Sequence, residues 1–486
     1  MWLDASFIGI LICVFSAIPV CILAALMWRA HRSGKRLRAV VLGLAFVHEL
    51  VLVTYPGWYD AITEFRAETD LHLAPGQLLI VYFGEMLFVL LFAATLAMNS
   101  YRGKLGIKSH HGAETCRPIE RDRIFLTLLV VSALGLYAGQ FLMPTINGDA
   151  LASHYQFKDY GGLSGVLADW GGTLVRWPGL FAAGFVLTDR RRGWPIRLLS
   201  SLVLVAEMIY SMINGMRGGI IWVISVVALV GYFKSSKKLL IAASAVTIAC
   251  APLMSWMHTN MRYVTLAAPL GTLNWQMIPE LVQGAVEHKV LESTSVGSNF
   301  LESWSLRAIG PLDSIYLYKF YDEGNGASYK PIVGTLFLPI PRAIWPGKPV
   351  AGSTDDSNLG MAIYKVQQQK PDSAFYDMGP ILASAHAYWE GGWSFLFIAA
   401  VFTGWFWSRL LAWGERAQSA AVDIVILSFT AALPIDGFFD MLNPLFTYFR
   451  LLWITLLPML CVLWVLDAWL QRRKPVRDPG HNMVPA

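Results

Sequence analysis

The chain has 486 residues, of which 55 % are hydrophobic and 15 % charged, with a mean hydropathy of +0.49. Soluble domains run at roughly a quarter charged, so this balance excludes an ordinary soluble fold and predicts an integral membrane protein. The net charge of +5 does not mark a nucleic-acid binder, because the cations fall mostly in short loops between apolar runs.

Apolar runs of spanning length lie near residues 6–28, 39–55, 76–99, 124–144, 163–188, 198–214, 219–233 and 239–258, then near 392–410, 419–435 and 445–468. They predict an all-α, polytopic helix bundle of about eleven transmembrane helices, most of them long enough for a ~30 Å hydrocarbon core with some tilt. The first run has no basic flank before it and a basic cluster after it, so no cleavable signal peptide is expected. The chain divides into a first membrane bundle over 1–258, a long polar loop over 259–391, a second bundle over 392–470 and a tail over 471–486.

The connecting loops set the orientation. Arg29 to Arg38, Tyr101 to Arg123, Asp189 to Arg197, Lys234 to Lys238, Arg409 to Arg416 and the tail carry 5, 6, 4, 3, 2 and 4 Lys and Arg residues. The short loops on the other side carry only Arg66, Lys158 and Arg217. The positive-inside rule makes the first set cytoplasmic, which puts the N-terminus and the long loop outside and the C-terminus inside. No internal repeat of the kind found in secondary transporters is seen.

Within the apolar runs, Glu49, Glu85, Arg176 and Glu207 are costly and call for partners or a wet cavity. Two accounts stand side by side. In one, Arg176 pairs with a glutamate and holds the bundle together; in the other, these groups line a polar groove. Arg450, near the outer end of the last run, either snorkels outward or faces the site. Of the five cysteines, Cys13, Cys21, Cys250 and Cys461 lie in apolar runs and Cys116 in a basic loop, so no disulfide framework is suggested.

The long loop is too rich in Trp, Tyr and Phe for a solvated linker, and its 9 Lys and Arg against 12 Asp and Glu leave it slightly acidic. Its densest motif is Pro339-Ile-Pro-Arg-Ala-Ile-Trp-Pro-Gly-Lys-Pro349. The prolines pre-set the backbone and lower the entropic cost of holding Arg342 and Lys348 in place. Trp345 sits between them, suited to the headgroup level or to a sugar face; a rigid interfacial turn is the plainer reading. Arg217, in the short turn Asn214-Gly-Met-Arg-Gly-Gly219, opposes the charge bias of its side of the membrane. It is either a snorkelling surface residue or a clamp whose planar fork matches phosphate oxygens. Arg262 also lies near a run's outer end. Downstream, Ser384-Ala-His-Ala-Tyr-Trp-Glu-Gly-Gly392 brings His386, Tyr388 and Glu390 to the start of the ninth run. Asp355 and Asp356 lack His partners at ligand spacing, so no metal site is proposed and no cofactor is called for.

The proline, arginine and lysine turn, the Gly-Met-Arg-Gly turn and the Ser-Ala-His-Ala-Tyr-Trp-Glu-Gly-Gly run together resemble the Wzy-type oligosaccharide repeat-unit polymerases of O-antigen and exopolysaccharide synthesis. In one place the chain departs from them: the family pattern commonly has a Glu two residues before a Tyr, and here His386 precedes Tyr388, so either His386 or Glu390 takes the polar role. The resemblance implies a glycosyltransferase of the bacterial inner membrane. A glycan carried on undecaprenyl pyrophosphate would pass to the non-reducing sugar of a new lipid-linked unit, releasing undecaprenyl pyrophosphate. A chain-length regulator and a flippase are the partners it implies, together with membrane lipids and no nucleic acid.

The chemistry asks for cations where pyrophosphate charge builds up, and Arg217, Arg262, Arg342 and Lys348 suit that need. It also asks for a proton acceptor, for which His386, Glu390, Asp377 and Asp436 are the candidates, with His258 a weaker one. Three rivals stand against this reading. An O-antigen ligase makes the same exchange onto lipid A core. A polyprenyl-phosphate-sugar glycosyltransferase would use acids such as Asp60, Glu64, Glu68 and Asp70. A flippase of lipid-linked sugars would show repeats and short outer loops.

Overall fold

The computed structural model describes residues 5–62, 75–102, 117–142, 172–189, 191–213, 217–246, 310–324, 382–440 and 452–472, with isolated positions such as 326, 337 and 345. Among the described residues every regular element is a helix and none is a strand. Among the described residues three helices are long and apolar enough to cross a membrane, over Phe7–Arg32, Gly76–Met98 and Ala383–Ala417. Shorter apolar helices cover Leu174–Thr188, Val223–Phe233 and Ala420–Thr430.

In chain order, α1 is Ala5–Arg32 and α2 is Arg36–Glu49, which runs through a π-helical turn at Leu50–Thr54 into α3, Tyr55–Ile62. Next come α4, Pro75–Arg102, and α5, Arg117–Leu142. A second π turn, Gly172–Arg176, opens α6, Trp177–Thr188, and is followed by α7, Trp194–Ile213, and α8, Arg217–Phe233. Residues 237–246 are helical. Then follow α9, Gly310–Asp322; α10, Ala383–Ala417; α11, Ala420–Asp440; and, after a π turn at Leu452–Leu456, α12, Leu457–Arg472. Each apolar run read from the sequence holds helix over at least part of its length.

The helices gather into two packed groups. In one, α4 lies between α1 and α10, and α9 is wedged against α4 and α10. Its core is Ile8, Ile12, Val53, Leu78, Val81, Tyr82, Ile315, Leu317 and Tyr318. In the other, α6 is surrounded by α5, α7, α8 and α11. Trp177 to Ala183 are buried without a break, as expected of a helix apolar all round. Small residues set these contacts, since without a hydrophobic drive between helices close backbone approach supplies the packing. A Cβ on Gly404 would come within 2.6 Å of the Phe92 carbonyl, one on Gly179 within 2.4 Å of Ala133, and one on Gly184 within 2.7 Å of Val226.

The outward face is apolar too. On α7, Trp194, Leu198, Leu202, Val205 and Ile209 form an exposed stripe at helical spacing, while Val203, Glu207 and Tyr210 point inward. This inversion suits a helix that faces lipid. At the end of the bundle that carries the basic loops, cations are tied to neighbouring helices. Lys35 and Arg38 both reach Glu415 at 2.8 Å. Arg121 reaches Asp467 at 3.0 Å and the Ser419 hydroxyl at 2.8 Å, and Arg36 donates to the Phe233 carbonyl.

Candidate functional site

The geometry of the candidate site begins with a reversal in α10. Ser384 donates its backbone N–H to the Glu85 carboxylate at 3.2 Å. Leu396, twelve residues on, also lies at the level of Gly84, 3.8 Å from where a Cβ there would sit. A straight helix would separate these two residues by about 18 Å along its axis. The helix instead folds back at Gly391 and Gly392, where the backbone leaves helical geometry and Gly392 takes φ +67 and ψ −160. That conformation is nearly confined to glycine. A side chain there would also strike the Tyr321 hydroxyl at 2.7 Å. Residues 383–390 are thus a short helix sunk beside α4, and the part after the glycines descends along α4 as far as Gly404 at Phe92 and Thr95. From sequence the span is expected to start near 392; the helix already starts at Ala383, because this polar segment is housed by protein and not by lipid.

α9 lies alongside this short helix. The Ser314 hydroxyl accepts the N–H of Leu382 at 2.9 Å, and the Tyr318 ring stacks on Tyr388 with centroids 4.3 Å apart. At the far end, Tyr388 donates its hydroxyl to Asp322 at 2.8 Å. Tyr321 and Trp393 pack edge-on against Tyr388, with centroids at 5.0 and 5.2 Å. Gly84 is the notch that admits the Tyr318 hydroxyl, which would sit only 2.0 Å from a Cβ there.

Helical periodicity gives the short helix two polar faces, since positions four apart share a face and positions two apart oppose each other. Ser384 and Tyr388 look toward α4 and α9. His386 and Glu390 lie on the other side, where His386 Nδ1 is 3.7 Å from Glu390 Oε1. Both residues are 1 % exposed. The separation is too long for a hydrogen bond but close enough for attraction. Neither ring nitrogen of His386 and neither carboxyl oxygen of Glu390 has a hydrogen-bond partner among the described residues. Buried polar atoms are almost always paired, so four such atoms in one place single this segment out as the candidate site. Trp389 stands edge-on to the imidazole with centroids 5.3 Å apart.

The candidates read from sequence fall in different places. His386, Glu390 and Tyr388 are brought together on one short helix, and the alternatives His386 and Glu390 prove to be a pair. Tyr388 is engaged by Asp322 and Tyr318, which makes it part of the wall. Trp345 is half-exposed and lies edge-on to Phe337 with centroids 5.3 Å apart. Arg217 is the first residue of α8, and its side chain lies outside the described residues. Asp377, Arg262, Arg342, Lys348, His258 and Arg450 also lie outside them, as does the side chain of Asp436. Sequence reasoning missed Asp322, Tyr318 and Ser314, which hold the other face of the short helix from α9, inside the stretch read as loop.

The buried charges of the apolar runs resolve into two groups. Glu207 takes both Nε and Nη2 of Arg176, at 2.9 and 2.6 Å, and accepts the Tyr137 hydroxyl as well. The guanidinium also lies over the Trp177 and Tyr210 rings at 5.0 and 4.9 Å. This is the bundle-holding account of Arg176. Glu49 and Glu85 instead lie together near Ser384, with His48 beside them. Among the described residues no group of three His, Cys, Asp or Glu side chains is arranged to hold a metal ion.

No family model matches the chain, and no curated protein or solved structure matches it.

Proposed function

We propose that the chain is an integral-membrane glycosyltransferase with about eleven spans, which polymerises oligosaccharide units carried on undecaprenyl pyrophosphate at the outer face of a bacterial inner membrane. The observation that carries this reading is the buried His386–Glu390 pair on a fold-back helix, without hydrogen-bond partners among the described residues. The motif resemblance described above supplies the substrate class.

In the proposed reaction the acceptor hydroxyl attacks the anomeric carbon of the growing glycan. The bond from that carbon to the pyrophosphate oxygen breaks, and undecaprenyl pyrophosphate leaves with the bonding electrons. His386 accepts the hydroxyl proton, and Glu390 orients the imidazole and balances its charge, a division of labour common to general-base sites. Arg217, Arg262, Arg342 and Lys348 are assigned to the charge that builds on the leaving pyrophosphate. Burial of both residues, with the Trp389 ring edge-on to the imidazole, gives the pair a dry setting.

The test is reconstitution. Purified protein given only a lipid-pyrophosphate-linked repeat unit is expected to build a ladder of longer products without added nucleotide sugar. His386→Ala and Glu390→Ala are each expected to slow the ladder by ~10²–10⁴-fold. Arg217→Lys and Arg342→Lys, which keep charge but lose the fork, are expected to lower it sharply. Full activity in both the His386 and Glu390 variants overturns the assignment of the base. Transfer seen only when lipid A core is supplied makes the protein a ligase.

A further inference from the structure

We propose that Glu49, Glu85 and His48 form a proton-binding site inside the bundle, separate from the His386–Glu390 pair and on the opposite side of the short helix. The proposal does not depend on the reaction assigned above. Glu49 and Glu85 are 5 % and 2 % exposed, and their carboxyl groups lie within hydrogen-bonding reach of each other. His48 Nδ1 is 3.6 Å from Glu49 Oε1. Among the described residues no Lys or Arg pairs with either carboxyl. The groups facing the pair are His48 from α2, Tyr318 from α9 and Ser384 from α10, with Tyr388 stacked behind Tyr318.

Two neighbouring carboxyls in a low-dielectric interior do not both ionise without a cation, whereas one proton between them turns repulsion into attraction. Unused capacity surrounds them. Glu49 Oε2 and His48 Nε2 are buried without a hydrogen-bond partner among the described residues, and the Ser384 hydroxyl lies within reach of Glu85 and of the Tyr318 hydroxyl. Ser384 and Tyr318 are 0 % and 5 % exposed, and the Tyr318 hydroxyl sits on Gly84, next to Glu85 in the chain. The backbone supports the assignment: a π-helical turn begins at Leu50, directly after Glu49, and such turns gather at functional sites. Glu85 also accepts the N–H of Ser384 in the first turn of α10, so a proton gained or lost here acts on the helix that bears His386 and Glu390.

Infrared spectra of the full chain in lipid bilayers, taken in H2O and D2O across a pH series, read the protonated carboxyls directly. The expected result is a deuterium-sensitive protonated-carboxyl band at pH 7, where hydrated glutamates are ionised. Glu49→Gln/Glu85→Gln should reduce it by the equivalent of a single carboxyl or more, and the component it removes should persist in Glu390→Gln. If the double exchange does not fold, the single exchanges Glu49→Gln and Glu85→Gln carry the test, and each is expected to shift the band because the proton is shared. Spectra at pH 7 that the exchanges leave unchanged overturn the proposal. A band that sodium ions abolish at pH 7 also overturns it, in favour of a cation site.

Discussion

Arg176 shows how a buried ion pair behaves at the scale of single residues. Its guanidinium is satisfied by Glu207 and flanked by Trp177 and Tyr210, so the pair is closed to ligands. Removing one partner strands the other in an apolar bundle, which costs about 3–5 kcal/mol, while exchanging both for apolar residues is often neutral. Glu207→Ala is therefore expected to lower the thermal denaturation midpoint of the detergent-solubilised protein clearly, and Arg176→Leu/Glu207→Leu to recover much of the loss. A double variant as unstable as the single one would show that the charges do more than hold each other. The sequence makes these charges conspicuous but leaves their pairing open, because Arg176 has several glutamates within reach of a folded bundle and periodicity does not choose among them. His386 and Glu390 differ from this pair in one respect: among the described residues their side-chain nitrogens and oxygens have no hydrogen-bond partner. Their spacing of four was visible in the sequence; that the segment is helical and puts both on one buried face was not.

The helices themselves are the most legible elements of the chain. Long apolar runs form helices because a bilayer leaves the backbone no other partner, and the described helices fall where those runs lie. Residues 383–390 escape that logic. They carry Ser384, His386 and Glu390, show no apolar run and read as the end of a loop; only the Gly391-Gly392 pair hints at a turn. The reversal depends on Gly392, so Gly392→Ala is expected to cost about 1–3 kcal/mol in backbone strain alone, with the clash against Tyr321 in addition. Gly135→Ala, on α5, meets nothing within 4 Å and serves as the control. The measurement is the denaturation midpoint of both variants, beside the ladder assay. Equal stability of the two would remove the fold-back from the account of α10. α9 was equally hidden, since its mixture of Tyr, Asp and Lys is that of a surface helix until α4 and α10 are placed around it.

For the molecule as a whole, the proposed orientation rests on the loop cations, and many of them also work as ties. Lys35, Arg36, Arg38, Arg121 and Arg192 each bind an acceptor on another helix or its adjoining loop, so the basic end is cross-linked as well as charged. Reporter fusions after Arg38, Arg123, Lys238 and Gln471 are expected to read cytoplasmic, and fusions near Ser295 and Ser353 to read periplasmic. A cytoplasmic signal at Ser353 would reverse the orientation and remove the proposed reaction from the outer face.

The sunken helix of α10 also bears on how the protein is made. An insertion machinery that sorts segments by greasiness has no reason to deliver residues 383–390 into lipid, since Ser384, His386 and Glu390 all favour water. The neighbouring stretch beyond the glycines can be inserted first, leaving the polar segment outside. It then enters only a pocket whose walls already stand: α4 to receive the Ser384 amide, and α9 to offer Ser314 and Tyr318. Those walls are translated earlier than the segment they receive. A chain cut short before α10 therefore keeps the walls on α4 and α9 but loses the segment they receive, and with it both His386 and Glu390.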